Sequence, residues 1–311
     1  IIKCPENEIY QKRLKKELNL ISEKKLIKYL IRAVKILELT NHIPHVTRGS
    51  CGSSLVCYLL GISNVDPIIT DIKFERFLNK FRDNLPDIDF DFPHYFRDEV
   101  FLNLELTWPN QVARISNHVY WHEKSALREA IRKIGINKQI PKGEIYKFIN
   151  DLDKDKREQV MKYKKELEDT FRHYSLHCGG IIFFHDGIPD EIKLNRGKEK
   201  TISQIIYNKD DISKNKNFKI DILSSRGISQ LIDICGKKIN FTHCPYDEKT
   251  YKLLQRGDNI GLTLAESPLM RKAMLKIKPK SIDDIAKCLA IIRPAAKDAR
   301  INYNEIDYDT P

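Results

Sequence analysis

Three carboxylates recur at every second position in the segment NLPDIDFDF, where Asp87, Asp89 and Asp91 alternate with Ile88, Phe90 and Phe92. In an extended chain, residues two apart share a face, so this segment presents one apolar face and one row of like charges. Strands ordinarily avoid aspartate, and crowded carboxylates raise one another's pKa unless cations sit among them. Such a row is an all-oxygen donor set of the kind that binds Mg²⁺, an ion that keeps waters or substrate phosphates in the rest of its shell. Two such ions can activate an attacking oxygen and neutralise a leaving one. An edge strand with solvated acids has the same pattern, and short acidic motifs also occur in sugar transferases and surface loops. The triplet alone leaves these readings open.

A further carboxylate, Asp221, lies in the apolar segment NFKIDIL, between Ile220 and Ile222 and two residues after Lys219. Supplied by a second strand, it would complete a cation clamp with Asp87 and Asp89. The segment TRGSCGSS adds phosphate chemistry. Gly49 and Gly52 permit tight turns, Ser50, Ser53 and Ser54 carry hydroxyls, and Arg48 offers a guanidinium fork. Ser53 or Ser54 can cap a short apolar helix expected from about Ser53 to Leu60 and closed by Gly61, and a helix N-terminus attracts phosphate. The GK[ST] of a Walker loop is missing, and an ordinary loop with a helix cap is the better reading of this segment taken alone.

These residues need elements to hold them. Apolar positions from Leu14 to Leu37 recur at helical spacing, so helices are expected from about Tyr10 to Leu39, ending before Pro44. FRDEVFLNLELTW reads as a helix that stops near Pro109. Residues from about His118 to Arg172, rich in Lys, Glu and Leu, read as a helical insertion whose clearest helix is KDKREQVMKYKKELEDTFRHY. CGGIIFFHDG and FKIDIL read as short buried strands, and the chain after Ser225 as mainly helical, broken at Pro268 and Pro294. His118 with His122, and His173 with His177, are spaced to share a helix face, but neither pair has a third ligand, and they read as structural. Trp108 and Trp121 read as packing residues.

With 311 residues, the chain is long enough for more than one domain, and 41% hydrophobic against 31% charged residues marks an ordinary globular composition. The net charge of +11 points to a polyanionic partner, although a lysine-rich, AT-biased genome gives the same balance. No apolar run reaches membrane-spanning length and no signal peptide opens the sequence. The seven scattered cysteines, without a CxxC pair, read as reduced thiols, so the expected location is the cytoplasm.

In combination the motifs become specific. RGSCGSSLVCYLLGISNVDP, FERFLN, LPDIDFDF and RDEV resemble, in that order, the palm of the catalytic alpha subunit of bacterial DNA polymerase III, the C-family replicative polymerases. RHYSLHCGG resembles that family's RHxSxHAAG segment and FKIDILSSRGISQLIDI its KxDFLGLRTL segment. GLTLAESPLMRKAM and CLAIIRPAAKD resemble two segments of its fingers.

The resemblance implies an α/β fold: a DNA polymerase β-like nucleotidyltransferase palm with a mixed sheet, from residues 1–117 and 175–225. It implies a helical thumb at 118–174 and an incomplete start of the fingers at 226–311. It implies template-directed addition of deoxynucleotides to a primer 3′ end, with Asp87, Asp89 and Asp221 as catalytic ligands of two Mg²⁺ ions. Arg48, Gly49, Ser50 and Lys219 would bind the triphosphate, and Asp91 would have a structural part. The implied partners are primer–template DNA and deoxynucleoside triphosphates, plus a sliding clamp and replisome subunits through regions outside this sequence, with no membrane. Starting at Ile1 and ending on DYDTP, the sequence is expected to be a piece of a longer polypeptide. Cys51-Gly52-Ser53, Ser224–Arg226, Thr263-Leu264, Ala295-Ala296 and the segment ISNHVYWHEKSALREAIRK depart from the family pattern. Two alternatives remain: a template-independent nucleotidyltransferase on the same palm, and a non-catalytic copy that binds DNA or a partner protein.

Overall fold

The computed structural model describes residues 4–81, 86–141, 143–192, 194–195, 202–215, 217, 219–236 and 246–296. Helix α1 (Glu8–Glu23) starts where the Asn7 side chain accepts the Ile9 N–H, and α2 (Ile27–Leu39) buries Leu30, Ala33 and Ile36 on one stripe. Strand β1 (Val46–Arg48), the five-residue helix α3 (Leu55–Leu59) and β2 (Ile88–Pro93) follow. Next come α4 (Arg97–Thr107), β3 (Val112–Tyr120), the helices α5 (Glu123–Lys133), α6 (Ile145–Asn150) and α7 (Lys154–Leu167), and the long strand β4 (Phe171–Phe183). After the short strands β5 (Leu194–Asn195) and β6 (Gln204–Ile205) come α8 (Lys209–Lys214) and β7 (Lys219–Ser225). Helices α9 (Arg226–Cys235), α10 (Glu248–Gln255), α11 (Pro268–Ile277) and α12 (Ile282–Ile291) complete the described chain. Residues 297–311 of the expected fingers, Cys244, and Asn84 and Leu85 of the acidic motif lie outside the described residues.

One seven-stranded mixed sheet organises the fold in the order β1-β2-β7-β4-β3-β6-β5, with β2–β7 and β3–β6 parallel and the other pairs antiparallel. The apolar half of the alternation in β2 does what it predicts. Ile88, Phe90 and Phe92 are fully buried, and they share a core with Ile220 and Ile222 of β7 and with Val56, Phe74 and Phe101. Burying each such phenylalanine contributes on the order of 1.5–3 kcal/mol. Helices α5–α7 have a core of their own around Leu127, Ile131, Ile145 and Val160, and α10–α12 another around Leu254, Met270, Met274 and Cys288.

The expected helical insertion is shorter than its sequence pattern. Helix α7 ends at Leu167, because Glu168 leaves helical geometry and Asp169 takes a left-handed φ of 60°. Phe171–Tyr174 then pairs with β3, so His118, His173 and His177 lie on strands, and His122 precedes α5 as its N-cap. Neither histidine pair lines a helix face. Pro268 opens α11 at its first turn, where its missing N–H costs nothing. The six described cysteines are free, and no helix among the described residues is long and apolar enough to cross a membrane.

Candidate active site

Register brings the distant carboxylates together. Asp89 of β2 lies opposite Asp221 of β7 in a parallel pair, and Ile88–Ile220 and Phe90–Ile222 match on the buried face. Asp89 and Asp221 therefore leave the sheet on the same, opposite face, together with Asp87 at the open end of β2. Asp221 is nearly buried, with a side chain 12% exposed, whereas Asp87 is 42% exposed. Burial first, then the Asp221 charge, pushes the Asp89 carboxyl up to about 6. Asp221 Oδ1 is buried without a hydrogen-bond partner.

The Gly-Ser turn faces this row. Strand β1 pairs with the other edge of β2, Arg48 opposite Asp89. Gly49 has a φ of +88°, a conformation that favours glycine, and a Cβ there would crowd Asp89 Oδ2 at 3.2 Å. Ser50 begins a 3-10 turn closed by the Ser53 hydroxyl, which donates to the Ser50 carbonyl at 2.5 Å. Arg48 does not reach out freely. Its Nε and Nη2 fork both oxygens of buried Asp91, the Nη2 at 2.9 Å from Oδ1, and this bidentate pairing raises the arginine pKa. The third aspartate of the motif thus holds the arginine that precedes the turn.

The helix after Ser54 is committed elsewhere. Ser54 caps α3 by accepting the Cys57 N–H. Glu17, fully buried, accepts the Leu55 and Val56 N–H groups at 3.0 and 3.1 Å, the Ser54 hydroxyl at 2.8 Å and the Arg13 Nε at 2.6 Å. A protein carboxylate therefore fills the anion position of this helix N-terminus, and the expectation that α3 would cradle phosphate fails for that reason.

Lys219 lies among the carboxylates. Its ammonium stands 2.5 Å from Asp221 Oδ2 and 4.0 Å from Asp87 Oδ1, with the side chain 8% exposed. Burial pulls its pKa down, but the charges of Asp221, Asp87 and Asp89 more than offset this, so the net shift is upward.

His177 is a neighbour that the helical interpretation hid. Two steps along β3, Arg114 to Ser116, span five along β4, Ile181 to Leu176, so His177–Gly180 bulge out where Gly180 meets Asp221. The Gly180 and Gly179 N–H groups donate to His177 Nδ1 at 2.8 and 3.3 Å, which places the ring proton on Nε2. The ring lies 4.0 Å from Asp221 Oδ1, and burial holds its pKa down, so it is neutral. A Cβ on Gly180 would strike His177 Nδ1 at 2.8 Å, and one on Gly179 would strike the Ile222 carbonyl oxygen at 2.5 Å. The Gly-Gly pair after SLHC was the available sequence signal. Glu17 gave none, being one acid in a Lys- and Glu-rich helix.

Beyond β2, the His94 N–H and Nδ1 both meet the Ser229 hydroxyl of α9, at 2.9 and 2.8 Å. A polar cleft of about 520 Å³ opens there, lined among others by Arg48, Asp91, Arg97, Ser225 and Arg226. Among the described residues, no three His, Cys, Asp or Glu side chains are already gathered as a metal cage. The donor chemistry nevertheless fits a hard divalent cation: three oxygen ligands, one with an orphaned buried oxygen, around a position that an ammonium fills.

Comparison with known proteins gives the family. The profile of the bacterial DNA polymerase III alpha NTPase domain matches residues 2–224, and that of the bacterial DNA polymerase III alpha subunit finger domain matches residues 225–306. The chain is 32% identical to the DNA polymerase III subunit alpha of Bacillus subtilis (strain 168), over 93% of its own length and 28% of the relative's. It is 26% identical to error-prone DNA polymerase 2 of Agrobacterium fabrum, over 91% of its length and 28% of the relative's. To an error-prone DNA polymerase of Bdellovibrio bacteriovorus it is also 26% identical, over 91% and 29%. It thus spans less than a third of these relatives. Two adjoining domain profiles cover almost all of it: the chain belongs to the bacterial DNA polymerase III alpha family.

Proposed function

We propose that this chain is the catalytic part of a template-directed DNA polymerase, which joins deoxynucleotides to a primer 3′ end and releases pyrophosphate. The observation that carries this is the in-register Asp89–Asp221 pair, with Asp87 at its open end and the Gly49 turn against it. Asp87, Asp89 and Asp221 would hold two Mg²⁺ ions. Bound there, Mg²⁺ supplies Lewis acidity toward the 3′-hydroxyl and neutralises charge on the triphosphate. Gly49 lets the backbone approach the phosphates, Ser50 offers a hydroxyl beside it, and Lys219 offers an ammonium. Arg48, fixed by Asp91, lends its charge from the rim of the polar cleft. Residues 1–117 and 175–225 would form the palm, 118–174 the thumb and 226–311 the start of the fingers. The +11 charge suits duplex DNA, with affinity falling steeply as salt rises. Clamp and replisome contacts would belong to other parts of the full-length protein.

Primer extension by the full-length protein tests this. With Mg²⁺ and primer–template, the wild type should add templated nucleotides. Asp221→Asn should lower the rate by about a thousandfold or more, the scale of losing a main charge-stabilising group, while DNA binding persists. Addition without a template would favour the template-independent alternative. DNA binding with no addition by the wild type would favour the non-catalytic one.

A further inference from the structure

The chain fills its own cation position. Lys219 and Asp221 are two residues apart on β7, so both side chains leave the same face of the strand. The ammonium touches Asp221 Oδ2, stands 4.0 Å from Asp87 Oδ1, and is almost wholly shielded from water. Lysine is rarely this buried unless paired. The ion pair uses one Asp221 oxygen and leaves Oδ1 without a hydrogen-bond partner. His177 cannot compensate, since its Nδ1 already accepts from Gly180 and Gly179.

A divalent ion and this ammonium compete for the same carboxylates. Mg²⁺ needs carboxylate oxygens at about 2.0–2.1 Å, and a second cation in contact with them repels it. Lysine carries its charge on a flexible four-carbon stem, so the head can move while the strand stays fixed. We propose that Lys219 is a resident counter-cation that holds Asp87, Asp89 and Asp221 together until metal arrives, and that it yields its place to the metal by moving its ammonium to a nucleotide triphosphate. This rests on the polymerase reading of the site. Its consequence is positive coupling. Nucleotide draws the lysine away and tightens metal binding, and metal by the same factor tightens nucleotide binding. Lys219 is in this sense a positioning residue that orders the assembly of the site.

Mn²⁺ binding to the full-length protein, taken as the part that depends on Asp221 and read as free Mn²⁺ by electron paramagnetic resonance, tests the proposal without catalysis. Wild type, Lys219→Met and Asp221→Asn are compared with and without a non-hydrolysable deoxynucleoside triphosphate analogue. Without nucleotide, Lys219→Met should bind Mn²⁺ about tenfold more tightly than wild type, within the usual range of coupling between sites. The tightening that nucleotide produces in the wild type should shrink by a similar factor in Lys219→Met. The variant should also melt below the wild type in EDTA and recover with Mn²⁺. If Lys219→Met does not fold, Lys219→Gln carries the same expectation. Affinity equal to or weaker than wild type, with Asp221→Asn still abolishing binding, leaves the metal site standing and overturns the role of Lys219. Undiminished Mn²⁺ binding by Asp221→Asn overturns the metal site, and this proposal with it.

Discussion

Strands β2 and β7 run parallel in unbroken register from Ile88–Ile220 to Pro93–Ser225, whereas β3 and β4 lose register twice within one antiparallel pair. The first pair is buried at its core face and carries charges that must converge on its other face, so a slip of one residue would turn every aspartate inward. The second pair is a ribbon that runs out of the sheet, with Phe171 and Tyr120 half exposed at its far end. It can absorb extra residues, and it does so where the bulge sets His177 beside Asp221. Rigid register thus places the carboxylates, and local irregularity places their neighbour.

The sharpest way to break this division is at the glycine where the two pairs meet. Gly179→Ala puts a Cβ 2.5 Å from the Ile222 carbonyl oxygen and 2.6 Å from Leu223 Cδ2. Backbone cannot swing aside as a side chain can, so β4 must separate from β7. Urea unfolding should show a loss of about 3 kcal/mol, the upper range for overpacking. The nearest atoms to a Cβ on Gly180 belong to the side chains of Ile115 and His177, which can shift, so Gly180→Ala should cost less.

A smaller effect should mark the converging carboxylates through pH. The Asp89 carboxyl titrates at about 6 in the folded chain, against about 3.9 for an unperturbed aspartate. Between these values the folded state holds more protons than the unfolded one, so stability falls as pH rises. In EDTA the stability contributed by Asp89, read as the difference between wild type and Asp89→Asn, should be fully present below about pH 4 and lost through pH 6, by about 1.5 kcal/mol once solvent screening at this half-buried site is discounted. Divalent metal should flatten the profile. A stability difference between wild type and Asp89→Asn that rises from pH 4 to 6 in EDTA would contradict the crowding of Asp89 against Asp221.

The same contrast governs what the sequence could reveal. The placing of Asp87, Asp89 and Asp221 on neighbouring strands was legible because the motif order resembled one family, since the period-two alternation of Asp87 and Asp89 alone also fitted a solvated edge strand. The turn at Gly49 and the cap at Ser54 were legible from local residue chemistry. Glu17 was not, because its partners Leu55 and Val56 come from another element and are backbone groups that no side-chain pattern encodes. The start of β4 was not either. Phe171–Tyr174 follows a long charged helix without Gly or Pro, and only pairing with β3 makes it extended. Arg48 read as a free phosphate ligand because its tie to Asp91 depends on the β1–β2 register.

The least costly substitutions should fall on the ribbon's histidines, and they separate strand from helix most cleanly. His118 Nε2 donates to the Ile206 carbonyl at 2.8 Å, and its Nδ1 accepts from Asn208 at 3.1 Å, which ties β3 to the approach to α8. His118→Ala should therefore lower stability by about 1 kcal/mol, the net worth of hydrogen bonds whose partners can turn to water. His173 is exposed on β4, and His173→Ala should stay within about 0.5 kcal/mol of wild type. On a helix, His173 and His177 would lie one turn apart and could share a metal. On a strand, four residues span about 13 Å, too far for one ion. Zinc titration of the His173→Ala and His177→Ala variants should accordingly show no histidine-dependent site. A zinc affinity lost equally in both would return this segment to a helix and undo the bulge that sets His177 against Asp221.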